Sequence, residues 1–246
     1  MLIVSLPQLI EDPLLKKHIP NIITLANLLV GCIAIVHAFH GLIIEACFFV
    51  LLAAVLDFLD GFTAKMLGAY SELGKQLDSL ADMVSFGLTP AVIYYALLKN
   101  AVPEGTSQWL LLPAFSIAIF SAIRLAKFNI DESQSIDFRG LPTPACAMFT
   151  AGIPLLMDGQ YGEYVSFIDN QWIYYLIVAF LSFMLVAPVR MFSLKFSHYK
   201  FKSNELRYAL LLISLVLLIL MGYTAITLII LVYIVLSFLF SLTRTS

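Results

Sequence analysis

The fold of this chain is decided by two short stretches, Asp57–Lys65 (DFLDGFTAK) and Gly74–Asp82 (GKQLDSLAD). Their four aspartates close one apolar run and open the next, in a chain that is 61% hydrophobic and only 12% charged. Isolated acids are costly at membrane depth and are usually functional there. Four acids at helical spacing therefore predict a metal site rather than a salt-bridged surface.

Composition restricts the class of protein before any motif is considered. The chain has 246 residues and a mean hydropathy of +0.95, whereas ordinary globular domains carry about 25% charged residues. This predicts an all-α integral membrane protein with a single domain over residues 1–246. The net charge of −2 gives no reason to expect a nucleic-acid partner. The three cysteines have no metal-ligand spacing and are interpreted as apolar packing residues.

Runs of about 17–25 apolar residues are long enough to span a bilayer. About eight transmembrane helices are predicted, at 22–39, 42–64, 79–98, 108–128, 142–158, 171–192, 206–222 and 224–242. The segment before the first run, residues 1–20, is predicted to lie on the membrane surface as a short amphipathic helix. The last two runs are predicted to form a C-terminal helical hairpin over 206–242.

The positive charges predict the orientation of the chain in the membrane. With the N-terminus inside, all of the 14 lysines and arginines except Lys99 fall in inner segments. Both termini should therefore be cytoplasmic. The acidic stretches fall on the same side, so the predicted site faces the cytoplasm, and the expected location is the cell membrane.

Helical geometry explains how the acids would meet. Asp57 and Asp60 share one helix face with Ala64, and Gly74, Asp78 and Asp82 share another. Two antiparallel helices would bring all four carboxylates together, and oxygen-only ligands favour Mg²⁺, Mn²⁺ or Ca²⁺ over zinc. Two alternatives remain on spacing alone: solvated acids at helix ends, and the ion pathway of a divalent-cation transporter.

The complete pattern resembles the signature of the CDP-alcohol phosphatidyltransferase family, D-x2-D-G-x2-A-R-x8-G-x3-D-x3-D. Seven of its eight fixed positions are present at the correct spacing, and the exception is Lys65, where the family usually has arginine. Lysine keeps the positive charge but lacks the planar fork that binds phosphate in a bidentate manner. The lysine changes what position 65 can contribute to phosphate binding, but it does not change which family the pattern resembles.

The resemblance implies a reaction in which a substituted phosphate passes from a CDP-linked lipid to an alcohol and CMP is released. It implies two divalent cations, Mg²⁺, Mn²⁺ or Ca²⁺, held against the pyrophosphate by the four aspartates. Asp82 would also act as the general base on the attacking hydroxyl. The residues bordering the nucleotide would be Gly61, Ala64, Lys65 and Gly74.

The continuation of the motif, Leu77–Ala91, resembles the branch of the family that makes phosphatidylserine from CDP-diacylglycerol and L-serine. The glycerophosphate-using branch typically has proline where this chain has Ser79 and lysine where it has Met83. A phosphorylated acceptor needs that additional positive charge. Other acceptors, such as glycerol 3-phosphate or inositol phosphate, and an archaeal-type lipid donor are the alternatives within the family.

A pocket for serine or a lipid phosphate needs cationic and amide partners. The candidates on the inner side are Arg124, Lys127, Asn129 and Arg139. For the three basic residues the competing explanation is anchoring at the membrane surface. Arg124 is the best candidate for the pocket because it lies deepest in its apolar run. Membrane lipids are expected partners, and the family resemblance implies a homodimer.

Three polar residues share the start of the first predicted helix. They are explained either by helix capping and helix–helix hydrogen bonds or by contact with the nucleotide or metal site. These residues are Asn21, Thr24 and Asn27.

Overall fold

The computed structural model describes residues 13–130, 137–192, 201 and 204–243. The predicted surface segment is only partly covered, since residues 1–12 lie outside the described range. From Pro13 the chain is helical and continues without a break into the first long apolar helix.

The described chain is helical, apart from one short two-stranded ribbon. Its α-helices are α1 (Pro13–Phe39), α2 (Ile43–Leu67), α3 (Glu72–Asp82), α4 (Thr89–Ala101), α5 (Ser116–Ile130), α6 (Thr143–Asp158), α7 (Gly162–Val165), α8 (Gln171–Val186), α9 (Glu205–Met221) and α10 (Ile226–Thr243). A π-helical segment, Met83–Leu88, joins α3 to α4, and 3₁₀ segments cover Gln108–Phe115, Ser166–Ile168 and Gly222–Ala225.

Within these residues, four helical stretches are long and apolar enough to cross a membrane: His18–Phe39, Glu72–Ala101, Gln108–Ile130 and Glu205–Ser241. A fifth is added if Gly162–Ile168 and Gln171–Val186, bent by 79° at a short break, count as one span. The chain is thus a multi-pass helical protein of membrane type. Helices occur at all eight predicted positions, but the number of eight spans stays a prediction.

The centre of the molecule is α6, whose residues are buried from Ala145 to Leu156 on nearly every face. On one side it packs in a cluster with α1 and α2, where small residues such as Ala34, Ala46 and Ala53 are fully buried. Small side chains allow helix backbones to approach closely, which is the usual way helices associate in membranes. This close pair, α1 and α2, carries one wall of the acidic site.

The last two helices, α9 and α10, cover the predicted C-terminal hairpin, and their pairing as a hairpin stays a prediction. A 3₁₀ turn that begins at Gly222, with φ of +60°, separates α9 from α10. Leu210 near the start of α9 and Tyr233 in the second half of α10 belong to the same buried cluster. The Tyr233 hydroxyl also donates to the Phe192 carbonyl oxygen at 3.1 Å.

The ribbon pairs β1 (Asp137–Arg139) with β2 (Arg190–Phe192) in antiparallel register, with Phe138 opposite Met191. Gly140 follows β1 with φ of +77° and donates its N–H to Val189 O at 2.9 Å. A Cβ on Gly140 would collide with the Leu185 carbonyl oxygen at the end of α8. Only glycine therefore fits this turn, which places Arg139 beside the end of α8.

Replacing Gly140 by alanine should destabilise the protein more than the same change at Gly105. Both glycines have positive φ, at +77° and +83°, but a Cβ on Gly105 would have nothing within 4 Å. We expect a loss of about 1 kcal/mol for Gly105→Ala and about 2–4 kcal/mol for Gly140→Ala, because the second change adds steric overlap to backbone strain. Denaturant unfolding in detergent micelles measures both, and equal losses would contradict the described turn.

Candidate active site

Three of the four predicted carboxylates meet between the C-terminal half of α2 and α3. One oxygen from each of Asp57, Asp60 and Asp78 lies within 4.8 Å of the others. Asp60 is only 5% exposed, and the other two are half-buried. Like charges this close repel strongly at low dielectric, so the arrangement requires a positive partner.

The turn between the two helices explains why these side chains converge. Gly68 ends α2 in the left-handed conformation, and Ala69 N–H donates to Ala64 O at 2.9 Å, a common way of closing a helix C-terminus. Ser71 then caps α3 by accepting a hydrogen bond from Gly74 N–H at 3.0 Å. The chain reverses in this short connection, and the acids of α2 and α3 face each other.

Asp82 lies one turn beyond Asp78 and is not a member of the group of three whose oxygens lie within 4.8 Å of one another. It interacts electrostatically with all three of the other aspartates and with Arg124. Among the residues that the structure describes, its buried Oδ1 has no hydrogen-bond donor, and neither does Oδ2 of Asp60.

Buried carboxylate oxygens without donors are costly unless a cation binds them. Here they belong to an oxygen-only group of ligands, which is the set that hard divalent cations prefer. The residues therefore fit a divalent metal site, with Asp57, Asp60 and Asp78 as its core and Asp82 at its edge.

A cavity of about 530 Å³ opens beside the carboxylates. Of the predicted nucleotide-binding residues, Gly61, Ala64 and Gly74 line it, whereas Lys65 does not and is exposed. Lys75 lines it instead. The remaining lining residues are Pro20, Asn21, Thr24, Asp60, Ala69, Tyr70, Ser71, Glu72 and Asp78.

The start of α1 forms another wall of this cavity through Asn21 and Thr24. The Thr24 hydroxyl donates to Pro20 O at 3.1 Å, and the same side chain lies beside the Asp60 carboxylate. A Cβ on Gly74 would lie 2.9 Å from Asn21 Oδ1, so a larger residue on α3 would have to displace the Asn21 side chain of α1. Asn27 is fully buried and does not line the cavity.

A second cavity, of about 570 Å³, is lined by Arg124, Lys127 and Arg139, together with residues 185–188 at the end of α8 and Ile130. Arg124 is only 8% exposed, while the other two basic residues are exposed. Because Arg124 also interacts electrostatically with Asp82, it lies between the basic cavity and the acidic site.

Asn129, predicted alongside these basic residues, does not line the basic cavity. Its amide donates to the Ser79 hydroxyl at 2.8 Å, and Ser79 donates in turn to Lys75 O at 3.1 Å. The contact joins the end of α5 to α3, 50 residues away in sequence.

Residues 17–186 match the family model described as CDP-alcohol phosphatidyltransferase. The chain belongs to this family. The match includes the four aspartates, every residue that lines the first cavity, and the lining of the second cavity up to Val186.

Curated relatives give a closer comparison. The CDP-diacylglycerol–serine O-phosphatidyltransferase of Bacillus subtilis (strain 168) is 32% identical over 189 residues, covering 77% of this chain and 95% of that protein. The protein of the same name from Helicobacter pylori (strain 26695) is 31% identical over 199 residues, covering 80% and 79%. The archaetidylserine synthase of Methanothermobacter thermautotrophicus is 33% identical over 147 residues, covering 59% and 60%.

Sequence reasoning missed Lys75 and the aromatic wall residue Tyr70. Lys75 directly follows Gly74 inside the quoted motif. A lysine in a motif can anchor a helix or bind a ligand, and only the structure shows that Lys75 rather than Lys65 lines the cavity. Both lysines are exposed, but Lys75, in the first turn of α3, lines the cavity and Lys65, near the end of α2, does not.

Gly61 offers a direct test of the cavity. A Cβ there would have nothing within 4 Å, so Gly61→Val should keep the fold while filling the space beside Asp60. Loss of a well-fitted ligand contact is expected to weaken binding of a CDP-linked lipid by roughly 10–100-fold, or about 1.4–2.8 kcal/mol. Binding of CDP-diacylglycerol in nanodiscs measures this, with Ala179→Val, an exposed position on α8 outside both cavities, as the control.

Unchanged lipid binding by Gly61→Val, at wild-type thermal stability, would contradict the assignment of this cavity to the donor.

Proposed function

We propose that this chain transfers the phosphatidyl group from CDP-diacylglycerol to the hydroxyl of L-serine, releasing CMP and forming phosphatidylserine. One observation carries the proposal: a buried cluster of carboxylates lies against a cavity whose walls, at Gly61, Ala64 and Gly74, have almost no side chain. Such a site suits a charged pyrophosphate that must come close to the backbone. The names of the relatives support serine as the acceptor.

We place the enzyme in the cell membrane with eight spans, both termini and the active site on the cytoplasmic side, and, by family analogy, as a homodimer. The distribution of lysine and arginine supports this orientation. The acidic and basic cavities lie at the same ends of their helices as the charged inner connections.

Asp57, Asp60, Asp78 and Asp82 would hold two divalent cations, Mg²⁺ or Mn²⁺, or Ca²⁺, which when bound neutralise charge on the pyrophosphate and orient an in-line displacement. Gly61, Ala64 and Gly74 leave room for the nucleotide. Lys75, which lines the cavity, supplies positive charge there, and we assign it the position beside the nucleotide that was predicted for Lys65.

Asp82 is proposed as the general base. It accepts the proton of the serine hydroxyl as the oxygen–phosphorus bond forms and the phosphorus–oxygen bond to CMP breaks, so CMP leaves with the electron pair. A positioned base is needed because an alcohol is a poor nucleophile at neutral pH. The interaction of Asp82 with Arg124 supports this role, since Arg124 can hold the serine carboxylate from the neighbouring basic cavity while the hydroxyl faces Asp82.

The surroundings of Met83 support an acceptor without a phosphate. Its sulfur lies 3.2 Å from the position that a Cβ on Gly87 would occupy, so the side chain folds against its own helix. The glycerophosphate-using branch places a lysine at this position. Glycerol 3-phosphate and inositol phosphate would therefore meet less positive charge here than a phosphorylated acceptor needs.

A second candidate differs only in the lipid donor. The similarity to the archaetidylserine synthase favours testing a CDP-linked archaeal-type lipid beside CDP-diacylglycerol. Divalent-cation transport, an alternative on spacing alone, lacks an explanation for the small residues that line the cavity.

Purified protein should release CMP from CDP-diacylglycerol only when L-serine and a divalent cation are both present. Asp82→Asn should lower kcat by about 10²–10⁴-fold, the usual contribution of a general base, with the fold preserved. Asp158→Asn, an exposed acid at the far end of α6, is the matched control and should retain activity. Equal CMP release with glycerol 3-phosphate would overturn the choice of acceptor, and preferential use of the archaeal-type donor would change the choice of lipid.

Arg124→Gln should raise KM for serine by roughly 10–100-fold, because a hydrogen bond to a charged group is worth about 1.5–3 kcal/mol. The KM for CDP-diacylglycerol should change much less. Lys99→Gln, an exposed lysine outside both cavities, serves as the control. If Arg124 only anchors its helix at the membrane surface, steady-state kinetics will show an unchanged KM for serine.

A further inference from the structure

The helix that carries Asp78 and Asp82 changes its geometry directly after Asp82. Residues Met83–Leu88 form a π-helical segment before α4 begins at Thr89. Such segments are rare, are less favourable than regular α-helix, and occur often at functional sites. This segment contains the Ser85–Gly87 continuation of the motif, for which neither cavity gives a role.

Two hydroxyl groups fasten this segment to α1. Ser85 donates to Asn27 O at 3.1 Å. Thr89 Oγ1 lies 3.2 Å from Gly31 O and 2.9 Å from Val84 O, so its proton is shared between α1 and the π-helical segment. Both hydroxyl side chains are fully buried.

The hydrogen bond that Ser85 donates has an unusual direction. A serine or threonine in an apolar helix normally donates to the carbonyl four residues earlier in its own helix, as Thr150 does to Cys146 O at 3.0 Å. Ser85 instead donates across to a neighbouring helix. Its hydroxyl therefore fixes the position of one helix relative to another.

Close backbone contact holds the same segment from both sides. A Cβ on Gly31 would collide with the Ser85 hydroxyl and lie 2.9 Å from Ser85 Cα. A Cβ on Gly87 would lie 3.1 Å from Ser121 Cβ on α5. The segment is thus enclosed between α1, which lines the nucleotide cavity, and α5, which carries Arg124.

We infer that Ser85 and Thr89 are positioning residues for Asp82, and this inference rests on the proposed function. Asp78 lines the cavity that is walled by α1, and Ser85 and Thr89, further along the same helical run, reach carbonyls of α1, so all three lie on the face turned toward α1. Attaching the two hydroxyls to carbonyls of α1 sets the rotation of that face. It thereby holds the Asp82 carboxylate toward the reacting hydroxyl, although neither residue touches substrate.

The test uses full-length protein in nanodiscs and two variants that remove a hydroxyl with little change of shape, Ser85→Ala and Thr89→Val. Each should lower kcat about tenfold, since small displacements of reacting groups cost large factors in rate. KM for serine and for CDP-diacylglycerol should stay within twofold of wild type. Thr89→Ser, which keeps the hydroxyl, should restore kcat, and Thr150→Val is the matched control for loss of a buried hydroxyl.

Hydrogen–deuterium exchange without metal or substrate gives a readout that does not depend on activity. Peptides covering residues 83–89 should exchange faster in Ser85→Ala and Thr89→Val than in wild type, while peptides from α6 should not change. Gly31→Ala disturbs the same contact from the α1 side and should lower kcat similarly.

Three results would overturn the inference: wild-type kcat in both hydroxyl variants, a loss of kcat in Thr89→Ser equal to that in Thr89→Val, or an increase in KM with kcat preserved. Failure of the proposed function is distinguishable from these, because then the wild-type protein itself would release no CMP with serine.

Discussion

The structure depends on one electrostatic constraint: carboxylates gathered in an apolar protein need a positive charge among them. Asp57, Asp60 and Asp78 have oxygens within 4.8 Å of one another, a spacing that is strongly unfavourable at low dielectric without a cation. The features around them are consistent with this requirement. The closed turn after α2 and the capped start of α3 bring the acids together, and the open cavity beside them leaves space for a charged ligand.

The helix α1 has a larger part in this arrangement than its apolar sequence suggests. Thr24 contacts Asp60 on α2, Asn21 approaches Gly74 on α3, and the carbonyls of Asn27 and Gly31 accept hydrogen bonds from the segment after Asp82. One helix therefore contacts both of the helices that supply the acids. Its contacts with α2 and α3 therefore fix the position of these two helices relative to each other.

Much of the site could be predicted from the sequence because its acids and small residues lie within 26 positions on two helices. Fixed spacing in a helix determines which side chains share a face, so Asp57 and Asp60 on one helix, and Asp78 and Asp82 on the next, could be paired without a structure. The rest depends on contacts between distant segments. The sequence does not show that Lys75 rather than Lys65 lines the cavity. No periodic signal in the sequence indicates the hydrogen bond from Asn129 to Ser79 or the π-helical segment. The same holds for the β-ribbon, whose strands are only three residues long.

The central claim is that the four aspartates form a two-metal site. Anomalous diffraction from crystals grown with Mn²⁺ and CDP-diacylglycerol tests it most directly. The account predicts two manganese peaks about 3.5–4 Å apart, both bound by oxygens of Asp57, Asp60 and Asp78, with Asp82 beside the second. A single peak distant from these residues, or no peak at saturating Mn²⁺ with the lipid bound, would contradict the account.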